Sequence, residues 1–83
     1  MEKIEVTFFS KENCSLCDKG YKLLEELANE IPLSISVVDI YEDDELLEKY
    51  QIMIPVVNFK GDDIDFGILS KNKLRKRLLG EKG

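Results

Sequence analysis

The chain has 83 residues, 43% hydrophobic and 35% charged, with twelve Lys/Arg against seventeen Asp/Glu and a net charge of -5. That length holds one domain with one core, and the apolar content excludes a disordered tail. The acidic excess argues against a general binder of nucleic acid, whose phosphates demand a basic surface. With no histidine in the chain, Ser/His triads, Cys/His pairs and His-ligated zinc are all ruled out.

The charge is unevenly spread. Residues 1–70 carry six Lys against sixteen Asp/Glu, whereas residues 71–83 carry six Lys/Arg against one Glu. The opening Met1 to Phe9 lacks the apolar stretch and small-residue cleavage site of a signal peptide. No apolar run approaches the ~18 residues that a membrane span needs. The expectation is a cytoplasmic protein away from membranes, in a compartment where thiols stay reduced.

Glu2 to Phe9 reads as a strand, since Ile4, Val6 and Phe8 alternate with Glu5 and Thr7. Ser10 to Asn13 is a polar connection to a helix whose apolar stripe is Cys17, Gly20, Tyr21, Leu24, Leu27, Ala28 and Ile31. Ser15 and Asp18 have the spacing of a capping box near its start, and Pro32 marks its end. Leu33 to Ile40 is a second strand, joined to the first through one helix and therefore parallel to it with a right-handed crossover. Asp43 or Asp44 starts a short helix with Leu46, Leu47 and Tyr50. Val56 to Lys60, a Gly61-Asp62-Asp63 turn and a short strand around Ile64 to Phe66 form an antiparallel hairpin. Ser70 caps a last helix carrying Leu74, Leu78 and Leu79. The order is β-α-β-α-β-β-α.

Cys14-Ser15-Leu16-Cys17 carries the chemistry. The pair sits between the first strand and first helix of a βαβ unit, the context in which C-x-x-C reads as a redox couple. The first helical N–H groups lack intrahelical partners and point at the Cys14 sulfur, and the helix dipole adds positive character. Both favour the thiolate, the attacking species. Cys17, one turn further on, lies on the apolar stripe and is shielded, so one sulfur attacks and the other resolves. Three readings compete with this one. Zinc needs four ligands, so two Cys would require a second copy or carboxylates. A structural disulfide would close a loop too short to stabilise much, and the third reading is coincidence.

Ile54-Pro55 precedes the third strand, where Pro fits as a first residue; by itself this would be an ordinary trans bond. Cys-x-x-Cys at a strand-to-helix junction, Ile-Pro before a hairpin and a terminal helix together resemble the thioredoxin fold in its glutaredoxin branch. The likeness spans essentially the whole chain. The stretch from Tyr41 to Pro55 is especially similar to small bacterial glutaredoxin-like proteins. The resemblance implies an α/β fold, a four-stranded mixed sheet with helices on both faces. It also implies a cis Ile54-Pro55 bond whose neighbouring backbone docks substrate, Lys11 beside the active thiolate, and glutathione as the reductant. Judged on the residues alone, Lys11 reads equally well as a solvated loop cation.

Departures accompany the likeness. Ser15-Leu16 stands where glutaredoxins usually have Pro-Tyr, and Asp65-Phe66 stands near the Gly-Gly of glutathione binders, so Asp65 is expected to repel glutathione. No Trp precedes Cys14, and Phe8 occupies the place of the buried thioredoxin Asp. The leading expectation is a monomeric thiol–disulfide oxidoreductase without a tightly bound cofactor or metal. Cys14 and Cys17 are its catalytic pair, and Lys11, Ile54 and Pro55 its substrate-binding residues. Its partners are a disulfide-containing protein or small thiol, with a reductase as an alternative electron source. The rival is a thioredoxin-fold binding module, or a carrier sharing an iron–sulfur cluster through Cys14, which one chain cannot complete alone. The basic run from Lys71 to Arg77 reads mainly as a terminal helix whose cations suit its dipole.

Overall fold

The structure is a computed structural model, and it describes residues 3–80. Its elements are β1 (Ile4–Ser10), α1 (Ser15–Ala28), β2 (Leu33–Asp39), a 3-10 turn (Ile40–Glu42), α2 (Asp44–Tyr50), β3 (Val56–Phe59), β4 (Asp62–Phe66) and α3 (Lys71–Leu79). The strands form one sheet in the order β2-β1-β3-β4. β1 runs parallel to β2 and antiparallel to β3, and β3 runs antiparallel to β4. The element order and the mixed sheet are those expected; Glu2, placed in the first strand from the sequence, lies outside the described residues.

Alternation along the strands divides the core in two. Val6 and Phe8 of β1 and Val57 of β3 face α1 and α3, joining Leu24, Leu27, Leu74 and Leu78 in one cluster. The opposite face sends Phe9 and Val56 toward α2, where they meet Ile40, Tyr50 and Ile54. Phe9 and Tyr50 stack there with ring centroids 4.7 Å apart. Cys17 belongs to this second cluster although it sits on α1.

Several boundaries moved for local reasons. Helix α1 stops at Ala28, where Asn29 caps it by donating its N–H to the carbonyls of Glu26 and Leu27; Pro32 lies beyond that end. Ala28 and Leu79, expected on apolar stripes, are exposed. The β3–β4 turn is Lys60-Gly61, with φ of 53° and 84°, the two positive values of a tight two-residue hairpin. Asp62 and Asp63 therefore belong to β4 rather than to the turn. A bulge between Val57 and Asn58 interrupts the β3–β4 register.

The basic last helix is largely answered from within the chain. Lys71 lies 3.2 Å from Glu26, and Arg75 lies 3.0 Å from Glu30. Arg75 holds the Glu30 carboxyl below its ordinary range, first through a direct hydrogen bond. Among the described residues no helix is long and apolar enough to cross a membrane.

Candidate active site

Cys14 sits where β1 hands over to α1. Asn13 takes a left-handed turn at φ 56°, a conformation Asn tolerates better than most residues. Cys14 itself is extended, and its sulfur accepts the backbone N–H of Cys17 at 3.2 Å. The helix cap is thus Cys14 and not Ser15. The cap geometry requires the residue three before the receiving amide, and Ser15 is already inside the helix. The sulfur that caps is the one expected to react.

The two thiols are free and differently placed: Cys14 is partly exposed, whereas Cys17 is buried at 3% exposure. Burial pushes the Cys17 thiol up to about 12, with Cys14 adding to the shift and the Lys11 backbone amide opposing it. Cys17 therefore remains a thiol near neutrality.

The Ile54-Pro55 bond is cis, as the resemblance implied. Ile54 packs in the cluster that holds Cys17, and Cys14 packs against the same cluster. Pro55 is fully buried on the α1 side. A Cβ on Gly20 would fall 3.2 Å from Pro55 Cγ and 2.9 Å from Leu69 Cδ1. Gly20 is thus the position where α1 touches both the proline and the β4–α3 loop, a role its place in the apolar stripe did not reveal. One expected docking group is already engaged: the Ile54 N–H donates to the Tyr50 carbonyl at 3.1 Å. Lys11 lines a groove of about 620 Å³ with Ser10, Cys17, Asp18 and Tyr21 on the strand side of α1. Its wall reaches Cys17 and does not include Cys14.

The β4–α3 loop closes the far side. The Gly67 N–H is shared between the carbonyls of Met53 (3.0 Å) and Pro55 (2.8 Å), so the loop is tied to the proline segment. Gly67, Ile68 and Leu69 face Leu16, Lys19 and Leu23 across a smaller groove. Asp65, expected to repel glutathione, is buried, with its carboxylate held by the backbone of Phe66 and Ser70. No cluster of three or more Cys, Asp or Glu suited to a metal ion occurs among the described residues.

A thioredoxin fold presenting a C-x-x-C pair at the start of its first helix is the class that sheet order and site define together. Solved thioredoxins share this architecture. A variant from Halobacterium salinarum superposes with a TM-score of 0.66 at 17% identity, covering 99% of this chain and 77% of that one. The thioredoxin of Fasciola hepatica gives 0.61 at 26% identity, covering 96% and 82%. In sequence, a thioredoxin of Methanocaldococcus jannaschii is 29% identical over 94% of this chain and its own full length. Residues 5–79 match the family described as the Glutaredoxin-like domain (DUF836), and the chain belongs to that family.

Proposed function

We propose that this chain is a thiol–disulfide oxidoreductase working through Cys14 and Cys17. Membership of a glutaredoxin-like family and likeness to thioredoxins support thiol redox chemistry in general. The observation that carries the specific reading is the Cys14 sulfur capping α1 while Cys17 lies buried behind it.

The Cys14 thiolate attacks one sulfur of a substrate disulfide, forming a mixed disulfide and expelling the other sulfur as a thiolate that takes up a proton. Cys17 then loses its proton and attacks the Cys14 sulfur, releasing the second substrate thiol. Two electrons have moved to the substrate, and the chain holds a Cys14–Cys17 disulfide. Glutathione or a reductase returns the pair to the dithiol. Substrate docking is assigned to the backbone at Ile54 and Pro55, whose side chains are buried, and Lys11 contributes positive charge from the side of Cys17. The partner is a disulfide-bearing protein or small thiol, met by a monomer in a thiol-reducing compartment such as the cytoplasm.

The test is a pair of variants assayed with dithiothreitol and a model disulfide. Cys14→Ser should abolish turnover, while Cys17→Ser should accumulate a mixed disulfide visible by mass. Equal alkylation rates of the two reduced thiols would overturn the assignment, as would a brown protein whose colour is lost with Cys14.

A further inference from the structure

Asp65 is the one buried charged side chain among the described residues, at 4% exposure. One carboxylate oxygen accepts the Phe66 N–H at 3.0 Å, and the other accepts the Ser70 N–H at 2.8 Å. The Lys73 ammonium stands 3.4 Å from the first oxygen. Two convergent backbone donors and a cation, at the N-terminal end of a helix, make a receptor for a carboxylate. Here the receptor is built and already filled by the chain itself. Its position matters because the same loop is tied to Met53 and Pro55 through Gly67 and lies against Gly20 of α1.

We propose that Asp65 is a specificity residue of the active site: a resident carboxylate that denies the carboxylate of a small anionic thiol, such as glutathione, a place on the β4–α3 loop. The discrimination does not come from exposed charge. It arises because the donors that would reward an incoming carboxylate are committed internally. A charge-assisted hydrogen bond in such a place is worth about 1.5–3 kcal/mol, or roughly ten- to a hundredfold in affinity, and the ligand forgoes that gain.

This inference rests on the oxidoreductase reading. The step concerned is reduction of the Cys14–Cys17 disulfide by two thiols. The first thiolate attacks Cys14 and expels Cys17, which takes a proton; the second attacks the thiol's sulfur in the mixed disulfide and expels Cys14. Two thiols become one disulfide, and their two electrons reduce the pair.

The experiment compares glutathione with glutathione diethyl ester as reductants of the oxidised full chain, correcting each rate for thiolate concentration. Wild type should reduce equally well with both, within about threefold. Asp65→Ala, which vacates the receptor, should prefer the acid over the ester by about tenfold or more. Formate at constant ionic strength should raise the Tm of Asp65→Ala and not that of wild type, a response that loss of packing alone would not produce. Asp65→Asn, which keeps one acceptor oxygen, serves if the alanine variant does not fold. A wild-type preference for the acid of tenfold or more overturns the proposal, and so does an unchanged ratio in whichever variant folds. If neither folds, the wild-type ratio decides. Turnover of wild type with dithiothreitol, measured in parallel, separates failure of this proposal from failure of the oxidoreductase reading.

Discussion

At the start of α1, a free backbone N–H is answered by the partly exposed sulfur of Cys14. At the start of α3, the free N–H groups are answered by the Ser70 hydroxyl, 3.3 Å from the Lys73 amide, and by the buried carboxylate of Asp65. The local physics is the same, because the first turn of any helix leaves donors that must find acceptors. The acceptor differs. Sulfur is a weak cap but a nucleophile, whereas hydroxyl and carboxylate are strong caps and inert. One helix start is left chemically open, and the other, two strands away in the sheet, is closed and holds the loop that borders the first.

The comparison breaks most visibly at Cys14. Replacing it with Ser should lower disulfide turnover by at least ~10³-fold, since the nucleophile is gone while the fold and its cap survive. Residual turnover at a tenth of wild type would place the chemistry elsewhere.

The next largest effect lies in alkaline unfolding. Folded Cys17 keeps its proton up to about 12, whereas the ordinary thiol releases it near 9.0. Between those values the folded state binds the extra proton, so the stabilisation is complete below pH 9.0 and is lost as pH rises toward about 12. Urea titrations should show wild type losing up to about 1.4 kcal/mol per pH unit more than Cys17→Ala in that window. Parallel curves for the two proteins would show that burial of Cys17 does not hold its proton.

Asp65→Ala should cost about 1–3 kcal/mol, because the partly buried Phe66 and Ser70 N–H groups lose their acceptor. A change below half that value would mean that the loop finds other acceptors.

The smallest effects test the caps directly and carry opposite signs. Ser70→Ala should destabilise by about 1 kcal/mol, whereas Cys14→Ser should stabilise by up to about 1 kcal/mol, serine being the better cap. Stabilisation of an inactive variant would mean that reactivity at α1 is kept against the interest of the fold. Equal and same-signed shifts in Tm would remove the contrast.

Much of this architecture was legible in the residues. The alternation of Ile4, Val6 and Phe8 gave the central strand its faces, and Ser70 gave the start of α3. The position of Cys14 and Cys17 between strand and helix is as the sequence implied and marks the candidate site. What escaped were features set by partners distant in sequence or unusual in kind. The Ser15–Asp18 spacing puts the cap one residue late, although the amides aimed at the Cys14 sulfur are legible in the sequence. The burial of Asp65 depends on the Ser70 amide and Lys73, which reach it only after the loop folds back. The engagement of the Ile54 N–H follows from the turn after α2, which the apolar pattern of Leu46, Leu47 and Tyr50 does not encode. Gly20 read as a small residue in a stripe, whereas its contact with Pro55 and Leu69 requires the whole sheet to be in place.

The two outer strands differ in what they offer to another chain. β4 presents Asp62 and Asp63 beside the bulge at Val57 and Asn58, and charge combined with irregular register discourages the addition of a further strand. β2, at the opposite border, reads Leu33-Ser34-Ile35-Ser36-Val37-Val38 with no charge before Asp39, and Val37 is 55% exposed. Strand addition is thereby discouraged at one border of the sheet and unopposed at the other. A single lysine introduced at Ser36 would give that side the same protection from self-association that aspartates already give the other.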